Sequence, residues 1–349
     1  MAYSGDALET VVSRNRPTRP PARICLDENR EESLKFLKLL RFRQERYRDA
    51  NHKGWIQRRP GRMPYIRGYL DFSKIEYVST AAALVMASYY ERARILRGET
   101  PPTIDLHLWN ETVFNTLLEV GFFEIVGITK RPPELVRISA GARTTMQFVS
   151  GQGPSELRAV CEGISELVVD TFGSEMPELM YLRSAISEAI TNVQHHAYPA
   201  DHDFRFRHVD RWWATASTDK DNGSLKIVFY DQGASIPITY PRMSLGREVL
   251  SFLDKIVSRG VGSEFRDDAA YIEAAMTYGN SKTGSPERGE GLPQMKASID
   301  HFGRGRLRIY SRSGVCTYEP NQAISRSAYA GTVGGTLIEW TIFGLGEQA

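Results

Sequence analysis

Residues 183–198 read Arg-Ser-Ala-Ile-Ser-Glu-Ala-Ile-Thr-Asn-Val-Gln-His-His-Ala-Tyr, and this stretch leaves the chain few choices. Ala185, Ile186, Ala189, Ile190, Val193 and Ala197 recur at three- and four-residue steps, the period of an amphipathic helix with one apolar stripe. Glu188, Asn192 and either His195 or His196 recur at the same steps on a different face. A carboxylate, a carboxamide and an imidazole are thus stacked along one side of a packed helix. The plain reading is a solvated polar face, because polar residues four apart are common on helices. The alternative is a proton acceptor beside a ligand for a metal-bound phosphate.

Two glycine-bearing stretches downstream favour the alternative. Asp231-Gln232-Gly233 follows the strand-like run Leu225–Tyr230. Arg288-Gly289-Glu290-Gly291-Leu292 opens a helix-like run through Pro293, a residue favoured in a first helical turn. Taken alone, Asp-x-Gly is a turn signal and Gly-x-Gly a loop signal. In this order the three stretches resemble the ATP-binding fold shared by gyrase, the heat-shock-90 chaperones, histidine kinases and the mismatch-repair ATPases. The local resemblance is strongest to the anti-sigma-factor serine kinases. Their helix also reads Glu, three residues, Asn, then His before a small residue and an aromatic.

That resemblance implies ATP and Mg²⁺ as cofactors and assigns roles. Glu188 takes the place of the general base. Asn192 places a neutral oxygen on Mg²⁺, a hard ion held by few protein ligands, water and phosphates. His196, from the His-Ala-Tyr triplet, matches the family histidine, with His195 one step away as the alternative. Asp231 accepts the adenine amino group, and Gly233 lets the backbone pass close to the ring. Ile236-Pro237 preserves the end of the family's Asp-x-Gly-x-Gly-Ile-Pro, although Ser235 replaces the second glycine. Gly289, Gly291 and Leu292 lead into a helix whose first amides suit a triphosphate. Lys282 and Arg288 are candidates to meet phosphate charge, within an interval (238–288) where the family carries a mobile lid. Thr336, in Gly334-Gly335-Thr336, supports the contact between Asp231 and adenine.

The first half of the chain differs in character. Residues 1–22 hold Pro17, Pro20, Pro21 and several arginines, a composition that predicts disorder. A basic helix is expected from about Glu31 to Arg48, and residues 54–64 (GWIQRRPGRMP) read as a loop. Residues 65–128 alternate strand and helix signals. Strands are expected at Ile66–Phe72, Ile75–Val78 and Ile104–Trp109, with helices at Thr80–Leu96 and Glu111–Val120. This order resembles the STAS fold of anti-sigma-factor antagonists. The stretch LDFSKIEYVSTAAAL stands where that family has its strand, phosphorylatable serine and following helix. Val78-Ser79-Thr80-Ala81 replaces the usual Asp-Ser-Ser-Gly, so Thr80 is the phosphoacceptor by position. The competing reading is that Ser79 and Thr80 cap the helix.

The expected division is a disordered basic arm (1–22), a basic helix and loop (23–64), a STAS-like domain (65–140) and an ATP-binding domain (141–349). The fold class is α/β: an α+β two-layer sandwich with a mixed sheet, preceded by the small STAS-like unit. Hydrophobic residues make up 41% and charged residues 25%, as in an ordinary globular protein. No apolar run approaches the roughly 18 residues of a membrane helix, and the N-terminus lacks a signal-like apolar core. Cys25, Cys161 and Cys316 are far apart and form no zinc-type pair, which suits a reduced cytoplasmic setting. Residues 1–60 carry 14 Lys/Arg against 8 Asp/Glu, a local +6 inside a net +2. That arm is either a solubilising tail or a contact for nucleic acid, an acidic protein partner or an anionic surface.

The functional expectation is a regulatory protein that hydrolyses ATP or phosphorylates a Ser or Thr of a protein, with a protein partner and a homodimer as its expected associations. A non-catalytic ATP-gated switch and an ATP-dependent nucleic-acid clamp are the alternatives. The Walker phosphate loop is absent, and no helical hairpin with a phosphoacceptor histidine precedes the ATP-binding stretch.

Overall fold

The computed structural model describes residues 2–4, 7–9, 13–15, 19–46, 56–67, 70–128, 142–243, 247–257, 267–279 and 291–346. The chain divides into two compact units, Met1–Gly141 and Ala142–Ala349. Helices and strands interleave in both, giving the α/β class.

The first unit contains β1 (Ala2–Ser4), β2 (Ala7–Glu9), β3 (Ser13–Asn15), β4 (Arg23–Ile24), α1 (Arg30–Arg46), β5 (Ile56–Arg59), β6 (Arg62–Arg67), β7 (Tyr77–Val78), α2 (Thr80–Arg97), β8 (Thr103–Ile104), α3 (Glu111–Glu119) and α4 (Phe122–Ile125). Its core gathers Ile24, Leu37, Ile75, Val78, Leu84 and Val113, all fully buried. Aromatic pairs join Phe72 to Trp109 at 5.0 Å and Tyr90 to Phe122 at 4.8 Å between ring centroids. Helix α2 begins at the buried Ser79, whose hydroxyl accepts the Ala82 amide at 3.3 Å. Such a cap stabilises a helix by about 1 kcal/mol. Thr80 is 2% exposed, so the pair is a packed helix start.

Four expectations for this unit need correction. The strand expected at Ile66–Phe72 does not run that far: β6 ends at Arg67, and Phe72–Lys74 form a 3₁₀ turn. The arm expected to be disordered contributes β1, β2 and β3; main-chain pairing orders them, with Tyr3 opposite both Leu8 and Thr103 and Arg14 opposite Ile66. The loop expected at 54–64 contains a hairpin, β5–β6, turning at Pro60-Gly61. Gly61 has φ 68°, a conformation glycine adopts without strain. The strand expected at Ile104–Trp109 stops at Ile104, because Asp105 (φ 50°) turns the chain into a 3₁₀ turn at Leu106–Leu108. The Trp109 indole closes that turn by donating to the Ile104 carbonyl at 3.0 Å.

The second unit contains β9 (Arg143–Thr145), β10 (Val149–Gly151), α5 (Leu157–Phe172), α6 (Leu179–Asn192), a π turn (Val193–Ala197), β11 (Trp212–Asp219), β12 (Ser224–Asp231), α7 (Ile236–Thr239), α8 (Arg247–Val257), α9 (Asp268–Tyr278), α10 (Leu292–Phe302), β13 (Arg306–Ser311), β14 (Gly314–Tyr318), β15 (Ser325–Ala328) and β16 (Thr336–Ile342). The strands form one sheet in the order β10-β11-β12-β16-β13-β14-β15, with β9 also on β11. Between β9 and β10, Thr215 Oγ1 donates to the Met146 carbonyl at 2.6 Å. The sheet expected to be mixed is antiparallel at each described pairing. Tight hairpins make β11–β12 and β13–β14, and β16 enters between them running against both neighbours. Parallel pairs occur in the first unit, at β3–β6 and β4–β7.

One face of this sheet carries Ala214, Ile227, Phe229, Leu307, Ile309, Ile338 and Trp340 into a core with Val160, Ile164, Ile186, Ile190, Met295 and Ile299. Burying each large apolar side chain contributes about 1.5–3 kcal/mol. The periodic stripe of α6 is what packs here, and the packing holds its polar face at the edge of the core.

Candidate functional site

A cleft partly open to solvent lies where α6, the end of β12, α7 and the start of α10 converge. Of the residues singled out from sequence, Asn192, His196, Asp231, Ile236, Leu292 and Thr336 line it. Its floor is apolar: Ala189, Val193, Phe229, Met243, Met295 and Ile338. A few polar groups above an apolar floor is the usual construction of a small-molecule site.

Sheet register assembles the polar end. Asp231, Thr336 and Ser311 are direct cross-strand partners on β12, β16 and β13, and all three lie on the helix-covered face. Asp231 is 5% exposed, and its Oδ1 accepts the Gly233 amide at 2.8 Å. The following loop is tied at several points. The Ala234 amide donates to the Ala197 carbonyl at 2.7 Å, and Ser235 Oγ donates to the Gly335 carbonyl at 3.1 Å. The Ile236 amide donates to Ser311 Oγ at 2.9 Å. Ser235 has φ 83°, the conformation glycine would take at this position without strain. Its side-chain bond to Gly335 offsets that strain.

Gly233 does not line the cleft. A Cβ there would overlap the carbonyl of Ala197, so the glycine allows the loop to close on the end of the α6 segment. A Cβ on Gly335 would likewise overlap the Asp231 carbonyl.

The helix face departs from an ideal spiral where it reaches the cleft. After Asn192 the chain widens into the π turn, a form concentrated at functional sites. His196 lines the cleft, while His195 is exposed. Burial, with His195 nearby, lowers the His196 pKa below the usual histidine value. That burial favours the neutral imidazole over the charged one. Glu188 lies one turn back from Asn192, 9% exposed and off the cleft lining. The Asn192 amide donates to its Oε1 at 3.3 Å. Burial raises the Glu188 pKa, opposed by that hydrogen bond and by His195.

The end of the cleft beside α10 is described in part. Leu292 opens α10 at the cleft, and Gly291 (φ 66°) precedes it with no side-chain cap on the helix. Lys282, Arg288 and Gly289 lie outside the described residues. Among the described residues no group of three His, Cys, Asp or Glu is placed to hold a metal. Mg²⁺ carried on a triphosphate needs only one or two protein oxygens. Asn192 fits that demand: its Nδ2 is on Glu188, and its carboxamide oxygen is the hard donor such an ion takes.

Spacing alone missed Tyr240 and Ser311. Tyr240 lines the cleft and donates to the Gly279 carbonyl at 3.0 Å, at the end of α9. Ser311 ends a strand with no local motif around it, and only the register reveals it. No helix among the described residues is long and apolar enough to cross a membrane. In comparisons with known proteins, no family model and no curated sequence matches this chain.

Proposed function

We propose that residues 142–349 bind Mg-ATP as a domain of the gyrase, heat-shock-90, histidine-kinase and mismatch-repair ATPase type. The protein is then a regulatory ATPase or a protein serine/threonine kinase, with a STAS-like first unit and a protein partner. The observation that carries this reading is the cross-strand pair Asp231 and Thr336, which lines one apolar-floored cleft together with Asn192 and Leu292. In this reading the base enters between Asp231 and the apolar floor. The phosphates lie toward the uncapped start of α10, where helix amides favour anions. A bound Mg²⁺ would supply charge neutralisation for the phosphates. Asn192 would hold it through its carboxamide oxygen, and Glu188, which accepts the Asn192 amide, would orient that residue and stand as the proton acceptor.

The position of Glu188 behind Asn192 favours one further reading, a nucleotide-gated switch without turnover. Incubation of the purified protein with γ-labelled ATP and Mg²⁺ separates the two. Free phosphate or labelled protein, lost in Glu188→Ala while ATP binding persists, supports catalysis. Bound ATP with neither product supports the switch. No ATP binding at all removes both.

A further inference from the structure

We propose that the connection between the π turn and β11 builds a second binding site, a pocket that takes a guanidinium group. The inference goes beyond the nucleotide reading and stands whether or not the neighbouring cleft binds ATP.

The pocket is bounded by the end of the π turn and by residues 198–210, with Gln152 beside them; Val193 also lines the cleft. Aromatic rings supply much of its lining. Tyr198 and His208 stack with centroids 5.0 Å apart, and Phe204 meets His208 at 4.3 Å. The group is anchored. Tyr198 Oη donates to the Arg211 carbonyl at 2.6 Å and accepts the Gln232 amide at 3.1 Å, and Asp201 pairs with Arg242 at 3.0 Å. A site fixed in advance loses less freedom on binding.

The rings alone are packing; the polar groups among them point to a ligand. No lysine or arginine lines the pocket, and Asp210 is its one carboxylate. Asp210 sits at φ 52°, uncommon for a residue other than glycine. Its Oδ1 lies 2.5 Å from His208 Nδ1, and its Oδ2 has no hydrogen bond among the described residues. Gln152 Nε2 donates to the Val209 carbonyl at 3.4 Å, which leaves its Oε1 as an acceptor. The exposed Gln194 adds a second carboxamide. Burial, foremost, lowers the His202 pKa, which disfavours a competing positive charge.

Aromatic faces attract cations, and a carboxylate adds charge. Two carboxamide oxygens add acceptors. A guanidinium meets all three demands: it is a planar cation that stacks on rings and carries five donors. A compact ammonium does not stack, and an anion would meet the Asp210 carboxylate.

The test is titration of the full-length protein with capped arginine (Nα-acetyl-arginine N-methylamide), followed calorimetrically. It is run at pH 8, above the ordinary histidine pKa. Saturable binding is expected. The capped citrulline, planar but neutral, should bind about tenfold more weakly or worse, and capped lysine more weakly than arginine. Asp210→Asn tolerates the same backbone conformation and should cost about tenfold, the scale of one lost charged hydrogen bond. Phe204→Leu keeps an apolar side chain and should cost about threefold. Agmatine distinguishes the sources of the group. Tighter binding of the capped residue assigns the guanidinium to a protein side chain, and tighter binding of agmatine assigns it to a free small molecule; either supports the site. Citrulline binding equal to arginine, wild-type affinity in Asp210→Asn, or no saturable binding to the wild type overturns the inference and leaves the ATP reading untouched.

Discussion

At the residue scale, Glu188 carries the sharpest prediction because two properties of one side chain move in opposite directions. Burial holds its folded pKa above the ordinary glutamate value. The folded chain thus keeps that proton more tightly than the unfolded chain. The stability this contributes is fully present below the unfolded pKa and is lost as pH rises through the folded one. Glu188→Gln keeps an acceptor for the Asn192 amide but removes the ionisation. It is expected to bind Mg-ATP, to lose turnover, and to melt above the wild type at pH 8. Melting curves at pH 5 and pH 8 check this; a variant that melts lower at pH 8 refutes the account of Glu188. The Glu188-Asn192 face was legible from four-residue spacing alone, because a helix repeats locally. The choice between His195 and His196 was not, since the π turn after Asn192 shifts which side chain meets the cleft.

At the element scale, the final strand does two jobs. Its start closes the cleft, and its middle carries Glu339, 2% exposed, beside Lys226 on β12 at 3.5 Å and Arg308 on β13 at 3.8 Å. Removing a buried carboxylate from between two cations is costly. Glu339→Ala should destabilise the second unit by about 3 kcal/mol in chemical denaturation, and an unchanged midpoint would refute that role. Gly335 has φ 143° and abuts the Asp231 carbonyl. Gly335→Ala is expected to cost about 3 kcal/mol or more and to abolish nucleotide binding. Full ATP affinity in that variant would separate β16 from the site. Strand β16 was readable from its apolar run, but its neighbours were not. The row of Asp231, Thr336 and Ser311 exists because β16 inserts between β12 and β13, and long-range pairing leaves no mark in a local stretch. The same holds for β1–β3, where composition spoke for disorder and main-chain pairing ordered the residues.

At the scale of the whole molecule, the two units meet different physical demands. In the first, Ser79 and Thr80 are buried at the start of α2, so Thr80 is out of reach of a phosphate donor while that helix stays packed. Label transferred from γ-labelled ATP is therefore expected to survive Thr80→Ala, if the protein is labelled at all; label lost in that variant would show that α2 opens. In the second, a ligand that binds only the folded state must stabilise it. ATP at a hundredfold excess over its dissociation constant should add about 2.7 kcal/mol. The central claim is that Asp231 and Asn192 belong to one Mg-ATP site, and calorimetric titration of Mg-ATP into the wild type, Asp231→Asn and Asn192→Ala tests it most directly. The account predicts saturable binding to the wild type, a loss of affinity of about tenfold or more in Asp231→Asn, and loss of the Mg²⁺-dependent part in Asn192→Ala. No binding to the wild type, or unchanged binding in both variants, would contradict it.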